Sequence, residues 1–406
     1  MPLKLGLMYI PAYESGFTQP FAAWYAQMLE QIALADAAGL HGVWLAEHRI
    51  PGYAFAAPQV FLSAAAMRTR RIRLGTAVCL VSLHHPVQTA EDFAALDVLS
   101  GGRLNFGAGR GQFPYDFAVA GVPLEESRER FDENLDAILR LWSEDGPVRH
   151  RGRFHLFTHR LLPKPLQRPH PPVFAAAART PASYTWAGER GFHLQIAPLL
   201  FSDLEVLRGH VASYRAAAAA AGHDPAALDL LAAYPLYVGE REEDAVRAAD
   251  PHLRRLARYN AFALFAGMDC GRPGAFEEYF RRREGAGPTE DGVPAGAGRD
   301  WDAWKRGRVI FGPPDRVVEQ IGRVAEEHGA TYLLFEVFYG GQSHAETMAY
   351  LERLAARVMP QLDLAPPPPA VTNQLADPRA DELGNLKTAS TALPSPRIGT
   401  VRSSRG

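Results

Sequence analysis

The run GGRLNFGAGRG, residues 101–111, ends a strand-like stretch with glycines at 107, 109 and 111 around Ala108 and Arg110. Glycines at that spacing let backbone N–H groups approach an anion, and Arg110 adds a fixed positive fork. The chemistry this run could do is to hold a phosphate. A tight turn that needs glycine explains the same spacing. The dinucleotide fingerprint GxGxxG does not apply, because position 112 is Gln112 and the following QFPYDF does not read as a helix start. A second candidate anion site lies in RTPAS, residues 179–183, where the hydroxyls of Thr180 and Ser183 accompany the N–H groups of a helix opening at Pro181. Thr180 as an ordinary N-cap ahead of Pro181 fits those residues equally well.

Other reactive side chains also close or follow apolar runs: Glu47 and His48 in VWLAEHR, His84 and His85 after CLVSL, Arg179, and Glu336 in TYLLFEVF. His48 can exchange a proton near neutral pH, or it can be satisfied by Glu47 or by backbone. Adjacent histidines on an extended chain point to opposite faces, so His84 and His85 do not chelate one metal. With no HExxH pair in the chain, the expectation is no metal site.

These residues need a scaffold that brings strand ends together. Eight β-type runs occur in order, each followed by helix-forming sequence: KLGLMYI, GVWLAEH, RIRLGTAVCLV, RLNFGAG, VFAAAA, FHLQIA, LLAAYPLYV and TYLLFEVF. Continuous apolar strands of this kind belong to a parallel sheet covered on both faces. The count predicts an α/β fold, a (β/α)8 TIM barrel with insertions, whose active face lies at the strand ends that lead into the helices. A doubly wound open sheet would also accommodate eight runs. The barrel domain is expected over residues 1–362. Within it, the Gly-, Arg- and acid-rich stretch 268–308 reads as a mobile insertion or lid, and 363–406, opening on PPPPA, reads as a disordered Pro/Ser/Thr-rich tail.

A formal net charge of −2 with dispersed basic residues excludes a nucleic-acid binder. Cys79 and Cys270 are the two cysteines, too few for a disulfide framework and suited to a cytoplasmic location. No segment approaches the roughly 18 apolar residues of a membrane span, so no membrane partner is expected.

Three stretches carry a resemblance: VWLAEHR, LGTAVCLVSLHHPVQTAEDFAALDVLSGGRLNFGAGRG, and FGPPDRVVEQI with GATYLLFEVFYGG and VMPQL. In order and spacing they resemble the bacterial luciferase-like flavin monooxygenases, from about Leu3 to Leu362. The resemblance implies a TIM barrel that uses reduced FMN (FMNH2) and O2, through a 4a-hydroperoxyflavin, to insert one oxygen atom into a small organic substrate. It implies a separate NAD(P)H:flavin reductase as partner and a homodimer. Arg110 falls at the position that grips the flavin phosphate, Thr180 and Ser183 at the hydroxyl positions beside it, and His48 at the catalytic histidine. Ala77 and Val78 fall on the pair that often carries a non-proline cis peptide under the isoalloxazine ring. Two positions depart from the luciferases: Gly109 replaces their reactive cysteine, and Arg179 stands where they carry a carboxylate. Relatives on the same barrel include deazaflavin-dependent hydride-transfer oxidoreductases and non-catalytic flavin-binding subunits, the two alternatives to monooxygenation.

Overall fold

The computed structural model describes residues 2–10, 20–49, 55–178, 180–201, 203–265, 305–337 and 341–371, with backbone alone for 200 and 257–265. All eight apolar runs are strands. They are β1 (Lys4–Tyr9), β2 (Gly42–Leu45), β3 (Arg73–Thr76) continued by β4 (Cys79–Leu80), β5 (Leu104–Gly109), β8 (Val173–Ala176), β9 (His193–Ile196), β10 (Leu230–Val238) and β12 (Tyr332–Val337). Parallel pairing runs β10–β12–β1–β2–β3–β5–β8–β9 and returns from β9 to β10. The sheet therefore closes as a (β/α)8 barrel, which excludes the open doubly wound alternative.

The alternation of side chains explains why closure is favourable. On β12, Tyr332 and Leu334 point into the barrel, where they pack with Met8, Trp44, Ala46, Phe174, Leu231 and Ala233. Leu333, Phe335 and Val337 point outward into the larger core beneath the helices. Both faces are apolar, as a fully covered strand requires, and each buried large side chain contributes about 1.5–3 kcal/mol.

The helices are α1 (Phe21–Ala37), α2 (Pro58–Arg68), α3 (Pro86–Ser100), α4 (Pro114–Ala120), α5 (Ser127–Ser143), α6 (Pro181–Glu189), α7 (Leu204–Ala220), α8 (Glu242–Phe265), α9 (Pro314–His328) and α10 (His344–Arg353). The segment QFPYDF does open a helix, against expectation. Pro114 takes the first helical position, where its missing N–H costs nothing, and Asp116 lies in the first turn. The segment between the fourth and fifth barrel strands forms an antiparallel hairpin, β6 (Val148–Arg151) with β7 (Leu156–His159). A short β11 (Ile310–Gly312) pairs with the far half of β10.

Of the expected lid at 268–308, residues 268–304 lie outside the described residues. Of the expected tail, residues 363–371 run beneath the barrel. Leu3 pairs with Leu364, the His41 ring bonds the Pro366 carbonyl at 2.9 Å, and the Val371 N–H donates to the Arg70 carbonyl at 2.9 Å. Residues 372–406 lie outside the described residues. Among the described residues, no helix is long and apolar enough to cross a membrane.

Candidate active site

A cavity of about 410 Å³ opens where the barrel strands lead into their helices. His48, Ala77, Val78, Arg110, Thr180 and Ser183, singled out from the sequence, all line it. Arg179 lies outside the described residues.

The glycines around Arg110 are explained by their neighbours. A Cβ on Gly107 would lie 1.7 Å from the Thr76 carbonyl oxygen, and one on Gly109 would lie 2.2 Å from Val78 Cγ2. Close approach of β5 to β3 and β4 therefore demands both residues, and Gly111 follows with φ 85°. The same crowding leaves no room for a side chain where the luciferases carry cysteine. The Ala77–Val78 peptide at this crossing is cis.

Around Arg110 the cavity is positive. Arg128, in the first turn of α5, lines the same cavity, and it was not among the residues the sequence reading selected. Among the described residues neither arginine forms an ion pair. Burial first, and the Arg128 charge second, push the Arg110 guanidinium below its usual range, against the pull of Asp132. Burial in turn pushes the Asp132 carboxyl up, and its Oδ1 has no hydrogen-bond partner. Two like charges so poorly compensated favour an anion between them. Thr180 is the N-cap residue of α6 by position, but its hydroxyl makes no capping bond. Thr180 and Ser183 thus face the cavity at a helix start that has donors to spare.

His48 meets a partner the sequence reading missed. Its Nδ1 lies 3.1 Å from Oδ2 of the fully buried Asp116, whose other oxygen accepts the Arg49 N–H. A carboxylate at Nδ1 makes that nitrogen the N–H donor, so Nε2 is the basic one. Phe113, 4.8 Å away between ring centres, packs on the imidazole. Glu47 does not pair with His48. Its Oε1 accepts from His84 Nε2 at 2.7 Å and Arg49 Nη1 at 3.0 Å, while Oε2 accepts the Leu80 N–H at 2.9 Å. Burial raises the Glu47 carboxyl, yet the bonds from His84, Leu80 and Arg49 outweigh it and hold the group below the ordinary carboxylate range. Glu47 therefore fixes β4 after the cis peptide. His85 points the other way, as expected, and accepts the Val87 N–H at the start of α3.

Glu47, Cys79 and His84 place their donor atoms within 4.8 Å of one another. Glu47 is already engaged there by His84, Arg49 and the Leu80 N–H, and burial pushes the Cys79 thiol well up.

The floor of the cavity is different again. Gln195 of β9 and Glu336 of β12 reach it from inside the barrel, and each has a buried oxygen, Oε1 and Oε2 respectively, with no hydrogen-bond partner. Burial alone lifts the Glu336 carboxyl to about 7. Phe113 lines the cavity, whereas Tyr9, Trp44 and Phe106 are buried in the cores.

Comparison with known proteins places this geometry in context. Residues 9–332 match the family described as luciferase-like monooxygenase. The oxygenase component of the flavin-dependent trigonelline monooxygenase of Acinetobacter baylyi is 35% identical over 233 residues, 56% of this chain and 62% of that protein. The chain thus spans less than two thirds of that relative's length. Limonene 1,2-monooxygenase of Rhodococcus erythropolis is 30% identical over 347 residues, 84% of this chain and 82% of that one. Among solved structures, monooxygenase RslO1 of Streptomyces bottropensis has a TM-score of 0.73 at 29% identity, covering 88% of this chain and 99% of that one. Two more show the same fold. One is the oxygenating constituent of 3,6-diketocamphane monooxygenase of Pseudomonas putida in complex with FMN, with TM-score 0.71, 22% identity, and 90% and 99% covered. The other is an F420-dependent secondary alcohol dehydrogenase, with TM-score 0.65, 19% identity, and 89% and 99% covered. The barrel, the match through most of its length and these relatives together make the chain a member of the luciferase-like monooxygenase family.

Proposed function

We propose that this chain is the cytoplasmic oxygenase of a two-component system, which uses FMNH2 from a separate NAD(P)H:flavin reductase to insert one atom of O2 into a small organic substrate. The observation that carries the proposal is the convergence of Arg110, Arg128, Thr180 and Ser183 on one cavity beside a wall almost bare of side chains. A phosphate fits the paired arginines, the uncapped Thr180 hydroxyl and the start of α6. Ala77, Val78 and Gly109 leave the adjoining wall flat enough for an aromatic ring. The trigonelline relative's description as an oxygenase component supports the separate reductase. A homodimer through the early helices belongs to the same proposal, supported by Val60 and Met67 exposed on α2.

Reduced FMN, when bound, supplies the electrons that activate O2. The chain's own residues do the rest. Arg110 and Arg128 hold the phosphate end, while the apolar cavity walls exclude water from the reacting end. His48, turned by Asp116 so that Nε2 is basic, takes up or returns the proton that oxygen transfer moves.

The test mixes the protein anaerobically with reduced FMN, admits O2 and follows the return of oxidised flavin at about 450 nm, a wavelength typical of flavins. The expected result is a return at least about tenfold slower than for flavin alone, because bound flavin reacts inside the protein. Return at the rate of unbound flavin, or tighter binding of reduced F420 than of reduced FMN, would contradict the proposal.

A further inference from the structure

On β12 the inward alternation Tyr332, Leu334, Glu336 puts a carboxyl where an apolar residue would complete the barrel layer. Glu336 lies in register with Met8 of β1 and Pro235 of β10, and it is 3% exposed. Gln195 continues the same inner surface on β9, in register with Ala176 and Leu231. Both residues keep a buried oxygen that no group among the described residues satisfies, and both open into the cavity. An orphaned polar atom at such a place costs about 1–3 kcal/mol unless a ligand completes it.

Resting on the flavin-monooxygenase reading of this cavity, we propose that Glu336 and Gln195, which both open into it, anchor a neutral carbonyl or hydroxyl group of the molecule that fills the cavity floor. The acid form suits this task. It offers one O–H donor and an acceptor, as the Gln195 amide does, whereas a carboxylate would repel any acceptor on the ligand. No charged side chain contributes to the Glu336 proton affinity, which burial alone sets at about 7. Its register partners on the neighbouring strands are Met8 of β1 and Pro235 of β10, neither of them charged. Glu47, His48, Arg110 and Arg128 are the titratable and charged residues of the same cavity, and Tyr332 lies two steps below Glu336 on the inner row of β12. The floor therefore selects a neutral polar group and rejects a carboxylate, the opposite of the positive corner at Arg110. The neutral group comes from the flavin ring or from the organic substrate.

The experiment compares the native protein with Glu336→Gln and Glu336→Ala at about pH 6 and about pH 8.5, on either side of the folded value. Two probes separate the sources. FMN is followed by quenching of its fluorescence. Cyclohexanone, a small neutral ketone, is followed by saturation-transfer NMR with and without FMN. For one of the probes, Glu336→Ala is expected to weaken binding at least about tenfold at the lower pH. For that same probe the native protein should weaken up to roughly thirty-fold at the higher pH, as the protonated fraction falls. Glu336→Gln should stay within about twofold of the native protein at low pH. Any pH response that it retains comes from groups other than Glu336, the FMN phosphate among them, and is subtracted. An effect on FMN assigns the anchor to the flavin ring, and an effect on cyclohexanone assigns it to the substrate. Equal affinities for both probes in all three proteins would overturn the proposal, as would a loss in Glu336→Gln as large as in Glu336→Ala. Failure of FMN to bind the native protein would instead overturn the flavin reading, leaving the ketone measurement without FMN to judge Glu336.

Discussion

The two ends of one cavity differ in the groups they offer a ligand. At the rim, Arg110 and Arg128 line the cavity together with Thr180 and Ser183, Arg110 exposed and Arg128 half-buried. At the floor, Gln195 and Glu336 are almost wholly buried and lack charged partners, so the carboxyl keeps its proton to about neutral pH. On the proposed reading the rim would take an anion and the floor a neutral polar group. One molecule with a phosphate at one end and an uncharged ring system at the other satisfies both.

Gly107 stands between the two ends and gives the largest expected effect. Its missing side chain lets the Thr76 carbonyl approach, and the absent Cβ would also lie 3.4 Å from Gln195 Oε1. Gly107→Ala must part β5 from β3, so a loss of at least about 4 kcal/mol, or failure to fold, is expected in chemical denaturation. A stable Gly107→Ala protein would mean that the strands are not held this close.

Glu336 comes next. Its folded value of about 7 lies above the ordinary 4.5, so the unfolded chain gives up this proton first. Below about pH 4.5 both states are protonated and there is no cost; between about 4.5 and 7 stability falls, by about 3 kcal/mol in all, and above 7 the loss is complete. Glu336→Gln should lack this fall and be the more stable protein at alkaline pH. Parallel stability curves for the two proteins would show that the floor carboxyl ionises normally.

Thr180 has the smallest effect and sharpens the contrast. Because its hydroxyl caps nothing, Thr180→Ala should leave Tm unchanged within error while weakening FMN several-fold, about 1 kcal/mol for a lost hydrogen bond. A lower Tm with intact FMN binding would make it an ordinary cap.

The barrel and the rim were legible in the sequence to different depths. Eight apolar runs gave eight barrel strands because a strand buried on both faces needs little more than continuity. Arg110, Thr180 and Ser183 stood out through their glycines and helix start. Arg128 did not, since in SRER it looks like any solvated helical arginine until α5 is packed against the cavity. Asp116 was hidden because Pro114 read as a breaker when it was a first helical residue, a signal the sequence did contain. Gln195 could be placed inward by alternation, but whether it meets a core or a cavity depends on seven other strands. The glycines of GAGRG were conspicuous for a reason the sequence could not show, the neighbouring strand pressed against them.

The most direct measurement of the central claim is the affinity of FMN against that of riboflavin, which lacks the phosphate, in the native protein and in Arg110→Ala. The account predicts that the native protein prefers FMN by at least about tenfold, and that Arg110→Ala loses most of this preference while binding riboflavin as before, since charge-assisted bonds contribute roughly 1.5–3 kcal/mol. Equal affinity for the two flavins in the native protein, or an undiminished preference in Arg110→Ala, would contradict it.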